Sequence, residues 1–141
     1  MSEQYDDLPA PAVVFPGASE RPESAYRTAH DLLTRRAPRE ALELLEPALE
    51  QEPTNKGLRA LRAWAYMQRA QVAKAEAELS ALVEDDPSDT WARHALGRAL
   101  ERQSKHRDAL PHLRMAAAMS GDVQHEVDVL RVERLAGELP G

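Results

Sequence analysis

Cysteine is absent from this 141-residue sequence, which excludes disulfides, thiolate zinc sites and a Cys nucleophile together. Positive charge is in deficit: the net charge is −6 and the pI about 5.4. That balance argues against nucleic acid as a partner, because phosphate binding needs a basic surface. The six glycines are scattered, so no phosphate-cradling loop exists. No apolar run approaches the ~18 residues of a membrane span. The opening Met1-Ser2-Glu3-Gln4-Tyr5-Asp6-Asp7 is acidic and has no apolar h-region, so a signal peptide is not expected and a cytoplasmic setting is. Aromatics are scarce at 4%.

What is present is ordinary for a globular chain: 43% hydrophobic and 30% charged residues, enough for one domain with a core. Ala, Leu, Glu and Arg dominate, and straight-chain residues lose little rotamer freedom in a helix. Residues 1–21 are rich in Pro and small residues, with Leu8-Pro9-Ala10-Pro11 and then Val13-Val14-Phe15-Pro16. Each proline disfavours helix at the residue before it, so this segment reads as an extended, mobile tail.

From residue 22 the chain repeats. Pro53 and Pro87 lie 34 residues apart, and the same offset aligns Ala41, Ala75 and Ala109, then Leu45, Leu79 and Leu113. Ala29, Ala63 and Gly97 form a small-residue column. Leu32, Tyr66 and Leu100 form a large one, and Ala48, Leu82 and Ala116 complete the set. Self-similarity at a fixed period marks a repeat architecture. Small residues let paired helices approach, and the large columns fill the space between. Helices are expected near 23–36, 39–52, 56–69, 72–84, 89–102 and 106–119. Pro38 suits a first turn, and Pro53 and Pro87 stop their helices. A seventh helix near 123–136 starts at Asp122 as N-cap. Its Val123, Val127, Leu130 and Leu135 are expected to cover the apolar face of the last repeat.

This period and pattern resemble the tetratricopeptide repeat, a helix–turn–helix unit. The third repeat supplies Leu96-Gly97, Leu100, Ala109, Leu113 and Gly121. The second supplies Ala63, Tyr66, Ala75, Leu79 and Pro87, and the first Ala29, Leu32, Ala41, Leu45 and Pro53. Arg36, Ala70 and Ser104 stand where the family usually has a turn Gly, and position 4 holds Ala25, Arg59 and Arg93. The resemblance implies an all-α, right-handed superhelical stack of antiparallel helix pairs. Its divisions are a tail at 1–21, repeats at 22–55, 56–89 and 90–121, and a capping helix and end at 122–141.

Catalytic chemistry is not expected. His30, His94, His106, His112 and His125 include no i, i+4 pair of the kind that holds zinc. His125-Glu126 lacks the second His of H-E-x-x-H. Ser and Thr sit in loops or at helix starts, where capping explains them. No metal, cofactor or small-molecule substrate is implied.

The resemblance implies instead that first helices line a concave, peptide-binding surface. Its candidate residues are Tyr26, His30 and Leu33 from repeat one, Trp64, Met67 and Gln68 from repeat two, and Trp91, His94, Arg98 and Arg102 from repeat three. Trp, Tyr, Met and Arg are enriched where proteins meet. Trp64 and Trp91 can also pack between repeats, and one large side chain can do both. First helices hold most of the Arg and second helices most of the Glu, so an acidic or mixed-charge segment of another protein is the expected partner, unless the Arg pair with Glu of adjacent helices. Family members that clamp a chaperone C-terminal carboxylate use Lys, Asn and Arg at positions held here by Tyr26, His30, Leu61, Trp91 and Ala95. That clamp is therefore not expected. Two further readings are a tail (Asp6, Asp7, Leu8, Val13, Val14, Phe15) docked in its own groove or, as a homodimer, in a neighbour's, and a non-catalytic subunit of an enzyme complex.

Overall fold

The structure is a computed structural model that describes residues 8–11 and 20–137. It is all-α, with seven helices and no strand among the described residues: α1 (Glu20–Thr34), α2 (Pro38–Gln51), α3 (Lys56–Gln68), α4 (Val72–Asp85), α5 (Thr90–Arg102), α6 (His106–Ser120) and α7 (Val123–Leu135). The expected helices all form, and α1 begins three residues earlier than its pattern suggested. Two compact units, Met1–Glu78 and Leu79–Gly141, divide the chain within α4. Most of the tail, including Asp6, Asp7, Val13, Val14 and Phe15, lies outside the described residues.

In the first unit, α2 starts with Pro38 in its first turn, where the missing N–H is no loss. It buries Ala41, Leu42, Leu45, Ala48 and Leu49, a stripe at helical spacing. α1 packs against both α2 and α3, and α2 packs against α3. Tyr26, Leu33, Leu45, Leu58 and Leu61 form the innermost layer. A Cβ built on Gly57 would lie 3.0 Å from the Tyr26 ring, so the glycine is what admits the tyrosine there.

In the second unit, α6 lies between α5 and α7 and packs on both. Gly97 on α5 lies hard against α6: a Cβ there would sit 2.5 Å from Leu113 Cδ2. The Ala29, Ala63 and Gly97 column thus meets the Leu45, Leu79 and Leu113 column, in this repeat, as a physical contact. Leu110, Leu113 and Val132 are fully buried beside it.

The inner turns adopt the geometry of the missing glycines without them. Arg36, Ala70 and Ser104 have φ of 61°, 58° and 61°, the left-handed region. In each, two backbone hydrogen bonds close a Schellman motif. Ala37 N–H donates to Leu32 O at 2.8 Å, Gln71 N–H to Tyr66 O at 2.8 Å, and Lys105 N–H to Leu100 O at 2.9 Å. The first helices of repeats two and three are capped alike. Asn55 accepts from Leu58 N–H at 3.0 Å and Asp89 from Ala92 N–H at 3.0 Å.

The last helix departs from its expected role. Asp122 caps it as foreseen, accepting from Gln124 N–H at 2.8 Å. Its apolar stripe, however, does not cover the repeat: Val123 is 71% exposed, Val127 46%, Leu130 53% and Leu135 55%. The buried residues of α7 are Asp128 and Val132. At 100° per residue Val132 lies opposite Val123, Val127 and Leu130. The reason is what α5 offers: buried His94, Arg98 and Glu101 need polar partners, so α7 docks through its polar side.

Candidate functional site

In the first unit the candidate residues form one continuous row across α1 and α3. The Tyr26 and His30 rings stack with centroids 6.1 Å apart, and His30 meets Trp64 edge-on at 5.9 Å. Gln68 Nε2 donates to Leu33 O at 2.9 Å, tying the end of α3 to α1. Tyr26, Leu33, Trp64 and Met67 are buried, whereas His30 and Gln68 are half-buried. Two polar atoms in this row are buried and have no hydrogen-bond partner among the described residues: His30 Nε2 and Gln68 Oε1.

The Arg excess of α3 is largely neutralised. Arg59 Nε donates to Glu78 at 3.0 Å and Arg62 reaches the same carboxylate at 2.6 Å. Glu78 is only 9% exposed. On α1, Arg27 pairs with Glu23 at 3.0 Å and Arg35 with Asp31 at 2.7 Å, all at the surface. Burial, followed by the charge of Glu46, raises the Tyr66 hydroxyl pKa above its ordinary value.

In the second unit, Trp91 and Arg102 are half-buried, while His94 and Arg98 are 4% and 5% exposed. His94 Nε2 donates to Asp128 Oδ2 at 2.9 Å. Arg131 bridges the helices: Nη1 donates to Asp128 at 2.7 Å, and Nε and Nη2 grip Glu101 at 2.9 and 2.8 Å. Arg98 pairs with the same Glu101 at 3.4 Å. Burial pushes the Asp128 carboxyl up, but the hydrogen bonds from His94 and Arg131 and the charges of Arg131 and Arg98 prevail. It is held well below the usual carboxylate range. The hydrogen bond to Glu101 holds the Arg131 guanidinium more firmly protonated than usual. His125 stacks on His94 at 4.2 Å and is fixed by Ser120 Oγ at 2.7 Å from its Nδ1. Sequence reasoning had no signal for this network beyond Asp128 and Arg131 sharing a side of α7. Their partners lie 30 or more residues earlier.

The repeat pattern is matched independently. Residues 32–100 fit the family model described as tetratricopeptide repeat. The whole fold matches solved tetratricopeptide domains. One is the first such domain of the human RPAP3 protein, at TM-score 0.76, 17% identity, 84% of this chain and 94% of that one. Another is the first tetratricopeptide domain of Spaghetti (RPAP3) bound to the HSP90 peptide SRMEEVD, at TM-score 0.78, 17% identity, 86% of this chain and 99% of that one. Over residues 32–100 the repeated units thus match the tetratricopeptide repeat. No curated protein matches by sequence.

The positions expected for a carboxylate clamp hold groups of other chemistry. Tyr26, Leu61 and Ala95 carry no cation and are 1%, 0% and 0% exposed. Among the described residues no group of three His, Asp or Glu could hold a metal ion, and no helix is long and apolar enough to cross a membrane. On the outer side of α5, Arg93 Nη1 donates to His112 Nδ1 at 3.3 Å. Burial, then the Arg93 charge, lowers the His112 pKa.

Proposed function

We propose that the chain is a protein-interaction module whose α1–α3 face binds an extended or helical peptide segment of another protein. The observation that carries this is the pair of unpartnered buried atoms, His30 Nε2 and Gln68 Oε1, in a row with Tyr26 and Trp64. An unsatisfied buried polar group costs about 1–3 kcal/mol, and few are tolerated per domain. A peptide backbone offers alternating N–H and C=O groups that complement both atoms. The half-buried His30 and Gln68 side chains turn outward to meet them, over the buried Tyr26 and Trp64 rings. That a neighbour in fold holds an HSP90 peptide supports the class of ligand. It does not carry HSP90 over, because the clamp positions here are Tyr26, His30, Leu61, Trp91 and Ala95.

An acidic or mixed-charge segment is the expected ligand. Arg27, at the edge of this face, is 64% exposed, and its intrahelical pair with Glu23 is worth at most about 1 kcal/mol, so a ligand carboxylate can replace it. In the second unit we assign the half-buried Trp91 and Arg102 to ligand contact. Of the other two candidates there, buried His94 holds Asp128 of α7, and buried Arg98 pairs with Glu101 of its own helix.

The test is a peptide-display selection against the wild type, followed by affinity measurement on purified His30→Ala and Gln68→Leu variants. Each is expected to weaken the selected peptide about tenfold, a 1.4 kcal/mol loss, with helical content unchanged. Wild-type affinity in both would remove the face from consideration.

A second reading has one observation in its favour. Leu8 is 7% exposed and Pro11 is buried as well, so part of the tail is packed. If the tail competes with ligand, deleting residues 1–18 tightens the selected peptide. An unchanged affinity excludes autoinhibition.

A further inference from the structure

The outward stripe of α7 has the composition of an interface. Val123, Val127 and Leu130 lie along one line of the helix, all about half exposed or more. Beside them on α6 are Met115 and Met119, 44% and 37% exposed. The hairpin register brings the methionines level with the stripe: Arg114 pairs with Glu133 at 2.8 Å at one end and Ser120 with His125 at 2.7 Å at the other. Both helices are anchored on their other sides, α7 by the His94–Asp128–Arg131–Glu101 network and Val132. The stripe is therefore fixed in place, and rotating it inward would break that network.

Charge along the stripe selects the occupant. Glu126 lies four residues before Leu130 and Arg134 four residues after it, both exposed. A second α7 running antiparallel, with a two-fold axis beside Leu130, sets Glu126 of each copy against Arg134 of the other. The same axis stacks Leu130 on its own counterpart and seats Val127 beside it. A parallel arrangement would oppose Glu126 to Glu126. We propose that α7 is a self-complementary docking surface through which two copies of this chain associate, isologously and antiparallel. This contact is separate from the α1–α3 face and does not depend on peptide binding there.

Light scattering and sedimentation equilibrium of the full chain test it. Wild type is expected to rise with concentration from the 15.7-kDa chain to twice that mass. Leu130→Asp keeps the single-chain mass at every concentration, with an unchanged far-ultraviolet circular dichroism spectrum. Arg134→Glu alone opposes two acids across the axis and raises the dissociation constant about tenfold. Adding Glu126→Arg to it swaps both signs and restores wild-type association. A wild type that stays at the single-chain mass overturns the proposal, as does a dimer that survives Leu130→Asp. Failure of the double swap to rescue Arg134→Glu overturns the antiparallel pairing.

Discussion

At the scale of single residues, the repeat runs on two kinds of position, and they respond oppositely to substitution. Arg36, Ala70 and Ser104 hold left-handed backbone, which costs an L-residue about 1–2 kcal/mol. Each of Arg36→Gly, Ala70→Gly and Ser104→Gly is therefore expected to raise stability by about 0.5–1 kcal/mol in urea unfolding, since glycine gives back some of the gain as chain entropy. Gly97 behaves the other way. Its missing Cβ is the space that Leu113 occupies, so Gly97→Ala overpacks the α5–α6 contact and is expected to cost about 1–3 kcal/mol. The left-handed turn recurs in all three repeats without a glycine, whereas the packing column is Ala29, Ala63 and Gly97 and needs a glycine only in the third.

At the scale of helices, Pro47 inside α2 and Pro111 inside α6 are both exposed, and neither breaks its helix. Pro47 lies mid-helix and forfeits a backbone bond. Pro47→Ala should stabilise the first unit by up to about 3 kcal/mol, read as a higher urea midpoint with the same slope. α7 makes a different prediction. Asp128 is ionised in the fold below its ordinary 3.8. A depressed carboxylate contributes stability that is complete above its unfolded value and declines as pH falls through the folded one. Acidification below pH about 4 should thus loosen α7 first, seen as faster amide exchange over 123–135, and Asp128→Asn should flatten that dependence.

The helices themselves were legible because Ala29, Ala63 and Gly97, with Leu45, Leu79 and Leu113, mark the buried columns at one period. The orientation of α7 was not legible. Its most apolar stripe pointed inward by pattern, but the partner surface on α5 is His94, Arg98 and Glu101. Hydrophobic periodicity says which side of a helix is apolar and cannot say what chemistry the neighbouring helix presents. Charge in the first helices had two readings in the sequence, a groove cation or a partner for Glu of an adjacent helix, and for Arg59 and Arg62 the second holds, since a single Glu78 from α4 takes both.

At the scale of the whole molecule, the account assigns different work to different surfaces. The α1–α3 face presents half-buried His30 and Gln68 over buried rings, each with a polar atom unpartnered among the described residues, and is proposed to take a peptide. α7 is bound to its own unit by charge and offers an apolar stripe to another copy. Helix capping supports the arrangement at Asn55, Asp89 and Asp122, and losing any one cap by substitution to Ala should cost about 1 kcal/mol.

The central claim is that the α1–α3 face is where a partner segment binds. The most direct measurement is a two-dimensional NMR titration of the full chain with a peptide selected against it. The account predicts the largest shift changes at His30, Leu33, Trp64 and Gln68, with the His30 ring resonances moving as Nε2 gains a partner. Shift changes confined to α2, α6 or α7, with the His30 ring and the Gln68 side-chain amide unmoved, would contradict it.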